Sequence, residues 1–168
     1  IVEGNEASTG GGLAIDNGDP RISEARVLGN VANYGAGFNL TLASPILTRV
    51  YVTGTSAADI GGGYYIYDSR AQIIGGEVSN NEAQSGGGLN LSYAPIRMSI
   101  VRVGENAAVG FGGGIYAYES NVDLDSVVVE GNKAGDGGGF NLSYSHIRGT
   151  RLVSRGNEGD ARGGGGAG

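Results

Sequence analysis

The sequence predicts an all-β solenoid: a single-stranded parallel β-helix with coils of 25 or 26 residues and three short strands in each. Three observations carry that expectation. Glycine triplets or near-triplets begin at Gly10, Gly35, Gly61, Gly86, Gly112, Gly137 and Gly163, at spacings of 25, 26, 25, 26, 25 and 26. An asparagine column (Asn5, Asn30, Asn81, Asn106, Asn132 and Asn157, with Ser56 in the third coil) keeps step with them, as does an alanine column (Ala7, Ala32, Ala58, Ala83, Ala108 and Ala134, closing on Gly159). Each triplet is followed by strict apolar alternation, as in Leu89, Leu91 and Tyr93 against Asn90 and Ser92, and period two is the mark of a strand. Self-similarity at this period means stacked units that share one core.

Taken in chain order, one coil opens on an apolar column three residues ahead of the asparagine: Val2, Val27, Val78, Val103 and Val129, with Thr53 and Ser154 as exceptions. Asparagines stacked at about 4.8 Å can pass side-chain amide hydrogen bonds from coil to coil, and asparagine tolerates a left-handed turn. Alanine suits a narrow corner, and the triplet supplies positive φ and close backbone approach. The first strand follows, then a second alternating run such as Val122 and Leu124 against Asp123 and Asp125, then a short apolar run, Val127 to Val129, leading to the next turn. No helical pattern is long enough to serve as a crossover, so successive strands wind about one axis. The whole of 1–168 reads as a single domain of six to seven coils, about 30 to 35 Å long at the usual strand spacing. Neither end of the sequence carries a polar cap, which predicts a segment of a longer solenoid or copies stacked end to end.

Alternate coils differ. Phe38-Asn39-Leu40-Thr41-Leu42, Leu89-Asn90-Leu91-Ser92-Tyr93 and Phe140-Asn141-Leu142-Ser143-Tyr144 recur every 51 residues. Between them the outward positions are Ala14 and Asp16, Tyr65 and Tyr67, and Tyr116 and Tyr118. The tyrosines form a candidate contact stripe, amphipathic enough to stack on sugars or meet a protein receptor. The N-x-[ST] sequon occurs at Asn39, Asn90 and Asn141 and marks them as acceptors for N-glycosylation along a eukaryotic secretory route.

Composition narrows the function. Seventeen acidic against eleven basic side chains leave a net charge of -6, which repels phosphate backbones and predicts no nucleic-acid partner. No apolar run is long enough to insert in a membrane as a helix. Zero cysteine excludes disulfides, thiolate metal sites and cysteine nucleophiles. The column Arg21, Ile46, Gln72, Arg97, Asp123 and Arg148 sets Asp123 between two arginines, and Asp123 with Asp125 is the nearest approach to the paired carboxylates of a glycoside hydrolase. Without loops to wall a cleft, and with His146 alone, the chain is expected to be no enzyme and to need neither cofactor nor metal. A polysaccharide lyase or hydrolase is the remote alternative.

The unit V-x-x-N-x-A followed by G-G-G-[ILFY] resembles the paired F-x-x-N and G-G-A-[ILV] repeats of the chlamydial polymorphic outer-membrane proteins, with Val for Phe and Gly for the third-position Ala. That resemblance covers about seven motif pairs. It implies a right-handed β-helix passenger at a cell surface, used in adhesion or as a structural stalk, with no catalytic residues to carry over. The expected role is an extracellular rod that forms or joins a fibre, filament or stalk. Its expected partners are further copies of itself, with glycans or surface receptors if it acts instead as an adhesin.

Overall fold

The computed structural model describes residues 1–159; the triplet at Gly163 lies outside them. It is a parallel β-solenoid of about six turns, all of whose strand pairs are parallel, with no helix among the described residues. Three sheets run the length of the stack. One six-stranded sheet, here the facial sheet, holds the strands that follow the triplets: Leu13–Asp16, Phe38–Thr41, Tyr64–Tyr67, Leu89–Ser92, Ile115–Tyr118 and Phe140–Ser143. A second six-stranded sheet, the narrow one, holds short strands such as Glu82–Ala83 and Ala107–Ala108 at the alanine column. The third has eleven strands because it folds through a corner, and Ile46–Thr53 and Gln72–Ser79 pass through that corner unbroken.

Alternation decides which side chains enter the tube. Phe38, Leu40, Tyr64, Ile66, Leu89, Leu91, Ile115 and Ala117 point inward from the facial sheet and pack against Leu47, Val52, Ile73, Val78, Met98, Val103, Leu124 and Val129 of the large sheet. Phe38 and Tyr64 stack with ring centroids 5.0 Å apart, and burial pushes the Tyr64 phenol up, its hydroxyl having no hydrogen-bond partner. Ala32, Ala36, Ala57 and Ala83 form a separate small cluster where the tube narrows.

The asparagine column lies inside the tube. Asn30, Asn81, Asn106 and Asn132 are all buried. The Asn106 side chain shows the unit: its Oδ1 accepts from the backbone N–H of Asn81 (3.1 Å) and from Asn81 Nδ2 (3.0 Å). Its Nδ2 donates to Val78 O (2.9 Å) and Asn132 Oδ1 (2.9 Å). Every polar atom of a buried amide is thus used, which is the condition for placing it in a core at no net cost. The third glycine of each triplet is what makes room: a Cβ at Gly88 would lie 2.5 Å from Gly114 O and 3.0 Å from Asn106 Nδ2.

In the third coil the ladder position belongs to Thr55 rather than Ser56. Thr55 N donates to Asn81 Oδ1 (3.0 Å), and Ser56 points to solvent. The apolar and alanine positions there are likewise Val52, which pairs with Val27 and Val78, and Ala57, which pairs with Ala32. The shift has a physical cause. The extra residue of a 26-residue coil sits after the alanine, in Ala58-Asp59-Ile60 and Val109-Gly110-Phe111, where the shorter coils have two residues such as Gln84-Ser85. The strand ladder takes it up as a register shift: Ala32 lies opposite Ala57, but Tyr34 lies opposite Ile60.

Each coil turns at four columns of left-handed residues, and only the column that opens the triplets is always glycine. There a Cβ would strike backbone, for example at Gly61, where Tyr64 O would lie 2.5 Å away. At Gly29 or Gly54 nothing lies within 4 Å, and the same column accepts Asn80 and Glu105. Tyr93 and Tyr144 occupy another such column, with φ of 54° and 50°, so the alternation that would turn them inward breaks and both rings stand in solvent. Ile100 (φ 57°) is a β-branched residue in a conformation it disfavours, and it is 69% exposed.

Two outcomes follow from this architecture. Asn106→Ala strands the Asn81 donors and the Val78 carbonyl inside the tube and should cost about 3 kcal/mol or more, read as a drop in the denaturant midpoint at unchanged m. Ile100→Asn relieves the strained corner without loss of packing and should raise stability by about 1 kcal/mol in the same assay.

Candidate binding face

The outward side of the facial sheet collects most of the exposed aromatic surface. Cross-coil register sets Asn39 beside Tyr65, Tyr65 beside Asn90, Asn90 beside Tyr116 and Tyr116 beside Asn141. A second row forms one step further on, at the corner. Tyr67, Tyr93, Tyr118 and Tyr144 stand one per coil, their centroids 5.9, 5.6 and 6.0 Å apart and their planes crossed at 83°, 87° and 86°. Edge-to-face contact is the preferred geometry of stacked phenols, whose ring edges carry the positive end of the quadrupole. Tyr34 tilts against Tyr65, and Phe111 against Tyr116.

Sequence reasoning found the members of this row that end facial strands, Tyr67 and Tyr118, together with Tyr65 and Tyr116, which the structure leaves half-buried. It missed Tyr93 and Tyr144 because period two assigns them to the core. The signal that marks them is their place immediately after a four-residue strand, the same place as Asn17, Leu42, Asp68 and Glu119, all at positive φ. The acidic residues of that column alternate with tyrosines. Hydrogen bonding to the Glu119 carboxylate, reinforced by that charge and by Tyr93, pushes the Tyr118 phenol up to about 12. Burial does the same, in direction, for Tyr65.

The sequon asparagines are unequally covered. Asn90 is 2% exposed and its Nδ2 donates to Ser85 O (3.3 Å), Asn39 accepts from Thr41 Oγ1 (3.0 Å) and is also buried, and Asn141 is half-buried. A sugar on Nδ2 needs open space beyond the amide; Asn39 and Asn90 are covered by coils on both sides, and Asn141 lies on the last facial strand described.

Most of the ion pairs lie elsewhere, on the large sheet and its corners. Asp123 pairs in register with Arg97 and Arg148, but its one ion pair is to Arg97 (3.8 Å), while Asp125 is held by Arg151. Arg97, Asp123, Asp125 and Arg148 line an open groove of about 380 Å³. Arg102 bridges coils through Glu77 (2.7 Å), Glu130 (2.7 Å) and Glu105 (3.3 Å), and Arg155 shares Glu130 (2.7 Å). Hydrogen bonds from Arg102 and then Arg155 hold the Glu130 carboxyl below its ordinary value. His146 lies beside the tyrosine row, in a groove it shares with Tyr118, Glu119, Asn121 and Tyr144. Among the described residues no three His, Asp or Glu side chains converge as metal ligands would, and no helix is long and apolar enough to cross a membrane.

No family model, no curated protein and no solved structure matches this chain.

A raised phenol pKa means that the folded face keeps its proton after an ordinary tyrosine has lost it. Spectrophotometric titration should therefore show one phenol ionising near pH 12, and Glu119→Gln, which removes the charge that holds that proton, should bring the step back toward 10.

Proposed function

We propose that this chain is a structural segment of an extracellular or cell-surface fibre, filament or stalk, a rigid β-helix that sets distance and carries a repeated face. The observation that carries the proposal is continuity along the axis. All three sheets pass from coil to coil with parallel register and a side-chain ladder joins Thr55, Asn81, Asn106, Asn132 and Asn157, so an added coil extends the same hydrogen-bonded column. In such an array stability is nearest-neighbour, and length can grow without redesign of the core. The likeness of the repeat to that of chlamydial surface passengers supports the same role. End-to-end contact between copies would use the edges that strand ladders present at a solenoid terminus.

A second reading, adhesion, draws on the tyrosine row. A solenoid holds side chains at fixed intervals on an unbending surface, which lowers the ordering cost of binding an extended partner.

The rod proposal is tested by length. Inserting a second copy of residues 78–128, one two-coil unit, in register after Val128 should lengthen the particle by about 10 Å in small-angle scattering, with its cross-section unchanged. A wider or collapsed particle would remove the ground for a rod.

A further inference from the structure

We infer that the tyrosine row is a binding surface for a neutral, extended polysaccharide of β-linked pyranoses, which would lie along the solenoid axis across Tyr67, Tyr93, Tyr118 and Tyr144. This deepens the adhesive reading and rests on it. Four things point to that occupant.

The row is linear and periodic, so its partner must be as well. Neighbouring rings are 5.6 to 6.0 Å apart, and the two that end facial strands, Tyr67 and Tyr118, repeat every second coil, about 10 Å along the axis. A stiff chain with one sugar ring per coil or per pair of coils can meet such a row repeatedly, whereas a single small molecule would find no enclosing pocket there.

The chemistry of the surface is that of sugar recognition. Pyranose rings offer C–H faces that pack on phenol faces, and hydroxyl groups that need partners of both kinds. Between Tyr118 and Tyr144 a groove of about 590 Å³ supplies them: Glu119 accepts, and Asn121 and His146 both donate and accept.

Charge selects against the alternatives. The groove between Tyr118 and Tyr144 is lined by the Glu119 carboxylate and by no lysine or arginine, and Asp16 and Asp68 add negative charge to the same face; its one arginine, Arg70, follows Asp68 on the coil of Tyr67. In that groove a uronate, sulfated glycan or nucleic acid would meet like charge with no lysine or arginine to offset it, whereas a neutral glycan meets no repulsion.

Exposure leaves the row free. Within the stack Tyr67 is 39% and Tyr93 44% exposed, although the two rings pack edge to face.

The test is affinity electrophoresis of the folded chain through gels containing hydroxyethylcellulose, a soluble neutral β-glucan, or carboxymethylcellulose, the same backbone made anionic. Expected results are retardation by the first and not the second, insensitivity to 1 M salt as a chosen condition, and at least tenfold weaker retardation for Tyr118→Ala/Tyr144→Ala. Tyr118→Phe/Tyr144→Phe should retain most of the binding, because the ring faces remain. Tyr51→Ala, on the large sheet, should not change it. Circular dichroism and the thermal midpoint show that each variant is folded. Free migration of the wild-type chain in hydroxyethylcellulose, in gels of neutral xylan and in gels of neutral mannan would overturn the inference, as would equal binding by the alanine pair. Capture only on immobilised polylysine would also overturn it and assign the row to a cationic partner through cation–π contact. None of these outcomes alters the scattering length, so failure of the glycan site is distinguishable from failure of the rod.

Discussion

A buried amide costs free energy for each hydrogen bond it leaves unmade, and in the core of this protein the ladder asparagines meet that demand through the geometry of the coil. Asn81, Asn106 and Asn132 each tie three successive turns: each accepts from the turn before, donates to the turn after and closes on a valine carbonyl of the strand that leads into the preceding rung, whereas Asn30, with Thr55 in the next coil, donates only to Val2 O. The amide reaches that position because the third triplet glycine presents no side chain to it. Asparagine and glycine columns are therefore one device. The valine column completes it, since a Cβ at Gly63 would also strike Val78 Cγ1 at 2.9 Å. A larger side chain at either column would part the coils rather than fill a space, because the interior is already close-packed.

From this fixed side of the tube, tolerance increases outward. The narrow sheet takes up the added residue of a long coil as a one-residue register shift after the alanine, with Ala32 opposite Ala57 but Tyr34 opposite Ile60, so the 51-residue period arises from a local irregularity and leaves the core register intact. The corners away from the triplets hold asparagine, acidic residues, tyrosine, leucine, arginine and even isoleucine at positive φ, each in the open and each at some cost in strain. Such freedom is what allows aromatic residues to be displayed at a corner without disturbing the fold. A second, smaller ladder supports the corner beside the tyrosine row, where Ser69, Ser120 and Ser145 accept backbone N–H groups from the coil before.

The coil period, the parallel solenoid and the inward set of the facial strands were legible because stacking makes each a repeated sequence feature. Three matters were not. Counting back from Gly61 assigns Thr53, Ser56 and Ala58 to the columns that Val52, Thr55 and Ala57 occupy, since nothing in the sequence says on which side of the alanine the extra residue lies. Alternation carried one residue too far turns Tyr93 and Tyr144 inward, because a left-handed corner filled by tyrosine has no glycine to announce it. The sequon strands alternate as an outward Asn should, yet neighbouring coils cover Asn39 and Asn90. Coverage across a solenoid depends on the side chains 25 or 26 residues away, which a linear motif does not contain.

For the proposed roles, the ladder means that whatever the face binds is held on a scaffold with little freedom to bend along its axis. The measurement that reaches this account most directly is hydrogen exchange of the asparagine side-chain amides by nuclear magnetic resonance. If the ladder holds the coils, the Nδ2 protons of Asn81, Asn106 and Asn132 exchange as slowly as the backbone amides of the core strands, and far more slowly than those of exposed Asn33. Exchange of the ladder amides at the rate of Asn33 would contradict it and move the source of axial order to the backbone ladders alone.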